Sequence, residues 1–269
     1  MTIGPAPLAS MPLAARQNVR AVLTDIDDTL TTRGQLTPEA YAAMARLADA
    51  GFLVIPVTGR PAGWCDHIAR LWPVAAVVGE NGAFWMRYDR ACHKLLKRFV
   101  DDEATRASHR GRIAAIASEI VAGVPGCAIA SDQGYRETDL AIDFCEDVPA
   151  LPRADVERIV SLMRERGMTA RVSSIHVNGW FGRYDKLSMV RTVLDEAFSI
   201  NLELERERFV FVGDSPNDAT MFDYFPLAVG VANIARFLDR IATPPAYVTT
   251  AEAGAGFAEV AQALIDARA

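Results

Sequence analysis

The sequence predicts an α/β fold: a parallel-sheet core interrupted by a smaller α+β unit. Three observations predict it. Short apolar runs alternate with helical stretches over residues 20–78, the rhythm of strand, helix, strand that builds a parallel sheet with right-handed crossovers. That rhythm breaks down between about 101 and 184, where helix-strand-strand occurs twice. It then resumes after Tyr184 and runs to the end of the chain.

Taken in order, residues 20–25 read as a buried strand. Thr37-Pro38-Glu39 opens a helix, with Thr37 as cap, Pro38 in the first turn and Glu39 at the positive end of the dipole. Gly51 closes it. Residues 52–57 form the next strand, and Pro56 near its end removes one ladder donor. Pro61 starts a short helix that stops at Trp72-Pro73, and 74–78 is a third strand. A hairpin is expected over 84–88 and 95–100, then a helix over 102–122. Strands at 127–131 and 138–145, a helix at 154–166 stopped by Gly167, and strands at 170–173 and 175–180 complete the insert. Helices over 186–198 and 215–224, strands at 209–212 and 227–231, a helix near 233–241, a short strand at 247–249 and a terminal helix follow. The expected organisation is a loose leader at 1–18, a core of 19–100 and 185–269, and an inserted unit of 101–184.

Composition narrows the function. The 269 residues are 51% apolar and 23% charged, as in globular proteins. A net charge of −6 argues against a basic nucleic-acid surface. Four scattered cysteines without a CxxC pair, and four histidines, argue against a zinc site and for reduced thiols in the cytoplasm. No apolar run reaches the ~18 residues that a bilayer span requires.

The chemistry sits in four stretches that follow or border core strands. Asp25-Ile26-Asp27-Asp28-Thr29 comes directly after Ala21-Val22-Leu23. Charged residues at a strand end are poor core material, but open α/β sheets place their ligands there. Thr58-Gly59-Arg60, Asp185-Lys186 and Gly213-Asp214-Ser215-Pro216-Asn217-Asp218 are the others. A carboxylate can attack phosphorus and become an aspartyl-phosphate. Thr58 can donate to a phosphate oxygen, Gly59 lets the backbone approach, and Lys186 supplies a compact charge. Asp25 and Asp214 suit Mg²⁺, which takes oxygen ligands through one or two carboxylates, phosphate and water. Asp27 suits general acid/base work.

Asp25-x-Asp27-x-Thr29, Thr58, Lys186 and Gly213-Asp214-x-x-Asn217-Asp218, in that order and strand context, resemble the four motifs of the haloacid dehalogenase superfamily of phosphotransferases. The αββ-αββ insert between the second and third motifs resembles a class II, subtype B cap of the Cof-like, sucrose-phosphatase-like and phosphoglycolate-phosphatase-like members. Gly79-Glu80-Asn81-Gly82-Ala83 also resembles a stretch common in that subgroup. The resemblance covers roughly residues 20–265 and implies a Rossmann-like core. It further implies Asp25 as nucleophile and metal ligand, and Asp27 as acid/base that offers its backbone carbonyl to Mg²⁺. Asp214 and Asp218 become metal ligands, while Thr58, Lys186 and Asn217 hold phosphate. Asp28 departs from the pattern, because many relatives have Gly there.

Each residue also has a plainer reading. Asp218 completes an S-x-x-D capping box, Thr58 is a strand-end hydroxyl, Lys186 a solvated lysine, and Asn81 a turn residue. Arg60 either binds substrate or pairs with a nearby acid. In the insert, alternation sets His176, Asn178 and Trp180 against Ile175 and Val177, so a polar face either roofs the site or faces solvent. The expected activity is Mg²⁺-dependent hydrolysis of a small phosphorylated metabolite, a sugar phosphate or phosphoglycolate-like compound, by a monomer or homodimer. The alternatives are a phosphomutase on the same scaffold, of phosphomannomutase type, and a non-catalytic phosphate-binding regulator.

Overall fold

The computed structural model describes residues 4–268. The chain begins with β1 (Ala6–Pro7) and α1 (Leu13–Asn18). The stretch expected to be a loose leader is packed in part, although α1 buries no residue. Ala6 and Pro7 pair in parallel with Tyr247 and Val248, and Leu8 and Met11 are buried. Its partner strand lies at the far end of the sequence, and local patterning gives no sign of it. Residues 1–3 lie outside the described residues.

Next come β2 (Ala21–Thr24), a small hairpin of β3 (Thr31–Thr32) and β4 (Gln35–Leu36), and α2 (Pro38–Asp49). Thr37 caps α2 by accepting from the Ala40 N–H, and Gly51 leaves it with φ +81°. The chain continues with β5 (Leu53–Pro56), α3 (Ala62–Leu71), β6 (Val77–Gly79), β7 (Phe84–Asp89) and β8 (Lys94–Phe99). The insert holds α4 (Glu103–Gly123), β9 (Ala128–Ile129), β10 (Asp139–Asp143), α5 (Arg153–Glu165), β11 (Thr169–Val172) and β12 (His176–Trp180). The closing part is α6 (Lys186–Phe198), α7 (Leu202–Glu205), β13 (Phe209–Gly213), α8 (Ala219–Tyr224), β14 (Leu227–Gly230), β15 (Tyr247–Val248) and α9 (Ala253–Asp266).

The core sheet runs β1-β15-β14-β13-β2-β5, all parallel. Both faces are covered, which is why its strands are apolar throughout. Val22, Val54, Val210, Val212 and Val229 point into one layer with α2, α3 and α9. Ala21, Leu23, Ile55, Phe209 and Phe211 point into the other with α6 and α8. β2 lies between β5 and β13, so the ends of these three strands meet at one sheet edge.

The insert forms a four-stranded antiparallel sheet, β11-β12-β10-β9. Leu140, Ile142 and Val177 pack against Ile116 and Ile120 of α4 and Ile159 and Met163 of α5. Period-two alternation therefore turns Asp139, His176 and Asn178 the other way. Trp180 ends β12 in the core's apolar cluster, stacked on Tyr184, rather than in the polar face.

Three elements differ from expectation. Val77–Gly79 joins the core sheet only through a Val57–Val78 bridge and pairs antiparallel with β7. The helix expected over 215–224 begins as a 3-10 turn at Pro216–Asp218. The helix expected near 233–241 is two 3-10 turns, because tertiary contacts hold Asn233: its amide donates to Asp28 and Asp214 and accepts from Ala253. No helix among the described residues is long and apolar enough to cross a membrane.

Candidate active site

The site starts where β2 ends. Asp25 N–H still donates to the Val212 carbonyl at 2.9 Å, so the nucleophile candidate is anchored by the ladder. The chain then turns tightly, with the Ile26 carbonyl accepting from Thr29, Leu30 and Thr31. Asp28 takes the left-handed conformation at φ +55°. Glycine adopts that region freely and Asp tolerates it.

Asp25, Asp214 and Asp218 each bring a carboxylate oxygen within 4.8 Å of the others, and all three are buried. Lys186 Nζ lies 2.7 Å from Asp25 Oδ1 and 2.7 Å from Asp218 Oδ1. Burial and the nearby Asp218 and Asp27 push the Asp25 carboxyl up to about 8, against the pull of Lys186. Burial, then Asp25 and Asp218, raise Asp214 as well. Burial works against the Lys186 charge, but Asp218 and Asp25 hold it above its ordinary value. Three buried carboxylates facing one ammonium form an oxygen-only donor set short of positive charge. That fits a hard divalent cation such as Mg²⁺. The capping role for Asp218 is not formed: its side chain goes to Lys186 and to the Asp214 N–H.

Asp27 stands apart from this group of three. Arg60 Nε donates to both of its carboxylate oxygens at 3.0 Å, and Arg60 Nη2 reaches Oδ1 at 2.8 Å. Of the two readings for Arg60, pairing with an acid is the one present. Burial opposes the guanidinium charge, while Asp27, Glu146 and Asp132 raise it. The Thr58 hydroxyl accepts the Arg60 N–H at 3.0 Å, which aims its proton elsewhere. Behind Gly59 sits Asn81; a Cβ there would meet the Asn81 amide at 3.2 Å. Asn217 donates to Asn81 Oδ1 at 3.3 Å, and Asn81 Nδ2 is buried without a partner.

One cavity is lined by Asp25, Asp27, Gly59, Arg60, Asp214 and Asn217 from the core, and by His176 and Asn178 from the insert. Lys186 and Asp218 bond to Asp25 directly or through that ammonium. Thr58 and Asn81 stand behind Gly59. The candidate residues of the four stretches, with Asn81, His176 and Asn178, are thus brought to one place, while Trp180 is not. The insert's polar face is not solvent-facing at His176 and Asn178, which are both buried.

The sequence reading missed several neighbours. Arg136 donates to the Gly59 carbonyl at 2.9 Å and pairs with Asp132 and Asp139. Glu146 lies 3.2 Å from Arg60 and 2.8 Å from His176 Nε2. His176 and Arg60 together hold the Glu146 carboxyl down to about 2. The Asp143 carboxylate shapes the loop that presents Glu146 by accepting from the N–H groups of Cys145, Glu146 and Asp147. The one available signal was the acid cluster Glu146-Asp147 just after a strand. Ser173 and Ser174, also at the cavity, carried none.

Residues 22–108 match the family described as haloacid dehalogenase-like hydrolase. No curated protein matches the sequence. Among solved structures, a Thermoplasma acidophilum protein is 19% identical with a TM-score of 0.69, covering 91% of this chain and 98% of its own. The sucrose-phosphatase of Synechocystis, solved with sucrose and phosphate, is 16% identical with a TM-score of 0.63, covering 92% and 98%. The C-terminal domain of Candida albicans trehalose-6-phosphate phosphatase is 14% identical with a TM-score of 0.70, covering 98% and 99%. With its N-terminal family match, its six-stranded parallel core and its inserted antiparallel cap, the chain is similar to the haloacid dehalogenase-like hydrolases and shares the fold of these solved structures.

Proposed function

We propose that the protein is a Mg²⁺-dependent phosphatase that hydrolyses a small phosphorylated metabolite through an aspartyl-phosphate on Asp25. The convergence of Asp25, Asp214, Asp218 and Lys186 at one buried sheet edge carries this reading. Mg²⁺ would be held by Asp25, Asp214, Asp218 and the Asp27 backbone carbonyl, and when bound it offsets their mutual repulsion and polarises a phosphate oxygen.

The chain's own groups do the rest. An Asp25 carboxylate oxygen attacks phosphorus while the bond to the leaving alkoxide breaks, and Asp27 gives that oxygen its proton. Asp27 then takes a proton from water. The water attacks the acyl-phosphate, which releases inorganic phosphate and restores Asp25. Lys186, Thr58 and Asn217 face the charge on the phosphoryl oxygens, and the Gly59 backbone lets it approach. His176 and Asn178 offer polar contacts to a hydroxyl-bearing leaving group. The similar folds of a sucrose-phosphatase and a trehalose-6-phosphate phosphatase support a sugar phosphate. Four free cysteines suit a cytoplasmic setting.

The test is release of inorganic phosphate from a panel of phosphorylated metabolites, with Mg²⁺ and with EDTA. Release that EDTA abolishes is expected; no release from any member overturns the proposal.

A further inference from the structure

The cavity at Asp25 is small, about 20 Å³, room for roughly one water. A leaving group has to extend beyond it. A second cavity of about 400 Å³ lies between cap and core and shares Ser173, Ser174 and Ser215 with the first. That volume falls in the ordinary range for small-molecule sites, about 300–1,000 Å³. Its walls are of a different chemistry. Phe144, Leu151, Val156 and Val172 come from the cap, and Pro216 and Phe237 from the core. Of the charges at its rim, Arg153 is taken by Glu157 at 2.7 Å, and the Arg240 guanidinium lies 5.7 Å from the Phe237 ring centre.

We infer that this second cavity is the subsite for the distal part of the leaving group, and that this part is apolar, an alkyl or aryl segment. The inference rests on the phosphatase reading. Continuity carries it: a phosphoester anchored by its phosphoryl group at Asp25 passes the polar roof of His176 and Asn178, and the three shared serines lead it on. Part of the core's contribution, Ser215 and Pro216, comes from the turn after Asp214, which sets that wall next to the phosphate site. The substrate is then a phosphomonoester with a polar region near phosphorus and an apolar end. Transfer of that end out of water supplies binding in proportion to the apolar area covered.

The experiment measures phosphate release from n-alkyl phosphates of increasing length, ethyl to octyl, whose leaving groups have similar basicity. We expect kcat/KM to rise about 2–4-fold per methylene until the cavity is filled. Val172→Asn, at a half-exposed strand position, and Val156→Thr should both flatten that rise, with far-UV circular dichroism and melting checking the fold. A flat series in the wild type, or a rise that persists in both variants, overturns the subsite while leaving the phosphatase reading in place. No release from any ester overturns the phosphatase reading itself and the subsite with it.

Discussion

At Asp25 a carboxylate sits where burial favours its protonated form, and Lys186 stands 2.7 Å away to oppose that. The group's carboxyl is pushed from 3.8 to about 8, so its contribution to stability is full below 3.8 and is lost as pH rises through about 8. Asn has no such dependence. In EDTA, Asp25→Asn should therefore gain stability over the wild type between about pH 4 and pH 8 in urea unfolding, while phosphate release falls to background. A stable variant with full turnover would end the nucleophile assignment. Asp27→Asn should lower kcat by about 10²–10⁴, the range for lost acid/base catalysis, and stopped assays of phosphate release read it directly. These two aspartates were legible in the sequence because two charges after an apolar strand have few structural uses. Arg60 was only half legible: its nearness to the site was visible, but its bond to Asp27 depends on two separate strand ends meeting.

Among the elements, Glu80 shows what lay outside sequence reading. It occupies a turn at φ +43°, is fully buried, and accepts N–H bonds from Ala62, Glu137 and Thr138 as well as the Thr138 hydroxyl. One carboxylate thus satisfies the first turn of α3 and the strand entering the cap sheet at β10. Burial, then Asp139, pushes its carboxyl from 4.5 to about 7, although Thr138 and Arg136 pull it down. Its stabilisation is full below 4.5 and declines as pH rises through about 7. Glu80→Gln should flatten that decline, so the difference in melting temperature between wild type and variant should change across pH 4.5–7 and level off above. A pH-independent difference would refute the buried titration. Thr37 and Gly51 were readable as helix start and stop because capping is local. Glu80 was not, because its partners Glu137 and Thr138 lie more than fifty residues away, inside the insert.

For the whole molecule, the site depends on a parallel core and an antiparallel cap closing on one cavity. Arg60 of the core reaches Glu146 of the cap, and Arg136 of the cap reaches Gly59 of the core. A cation bound at Asp25, Asp214 and Asp218 should tie β2 to the turn after β13. At a hundredfold excess over its dissociation constant it would add about 2.7 kcal/mol. We expect Mg²⁺ to raise the melting temperature by roughly 5–10 °C. EDTA should reverse the shift, and Asp214→Asn should remove it. An unchanged shift in that variant would place the ion elsewhere.

The sequence alone determined the strand-helix rhythm, the interruption by a second unit and the four stretches that carry the candidate site. Each is a local matter of periodicity, capping or residue type at a strand end. Tertiary structure decided how the leader, Asn233, Glu80 and Glu146 are used, and where space is left for a substrate. Those depend on burial and on partners far apart in the chain, and a contact between distant residues leaves no periodic trace in either one.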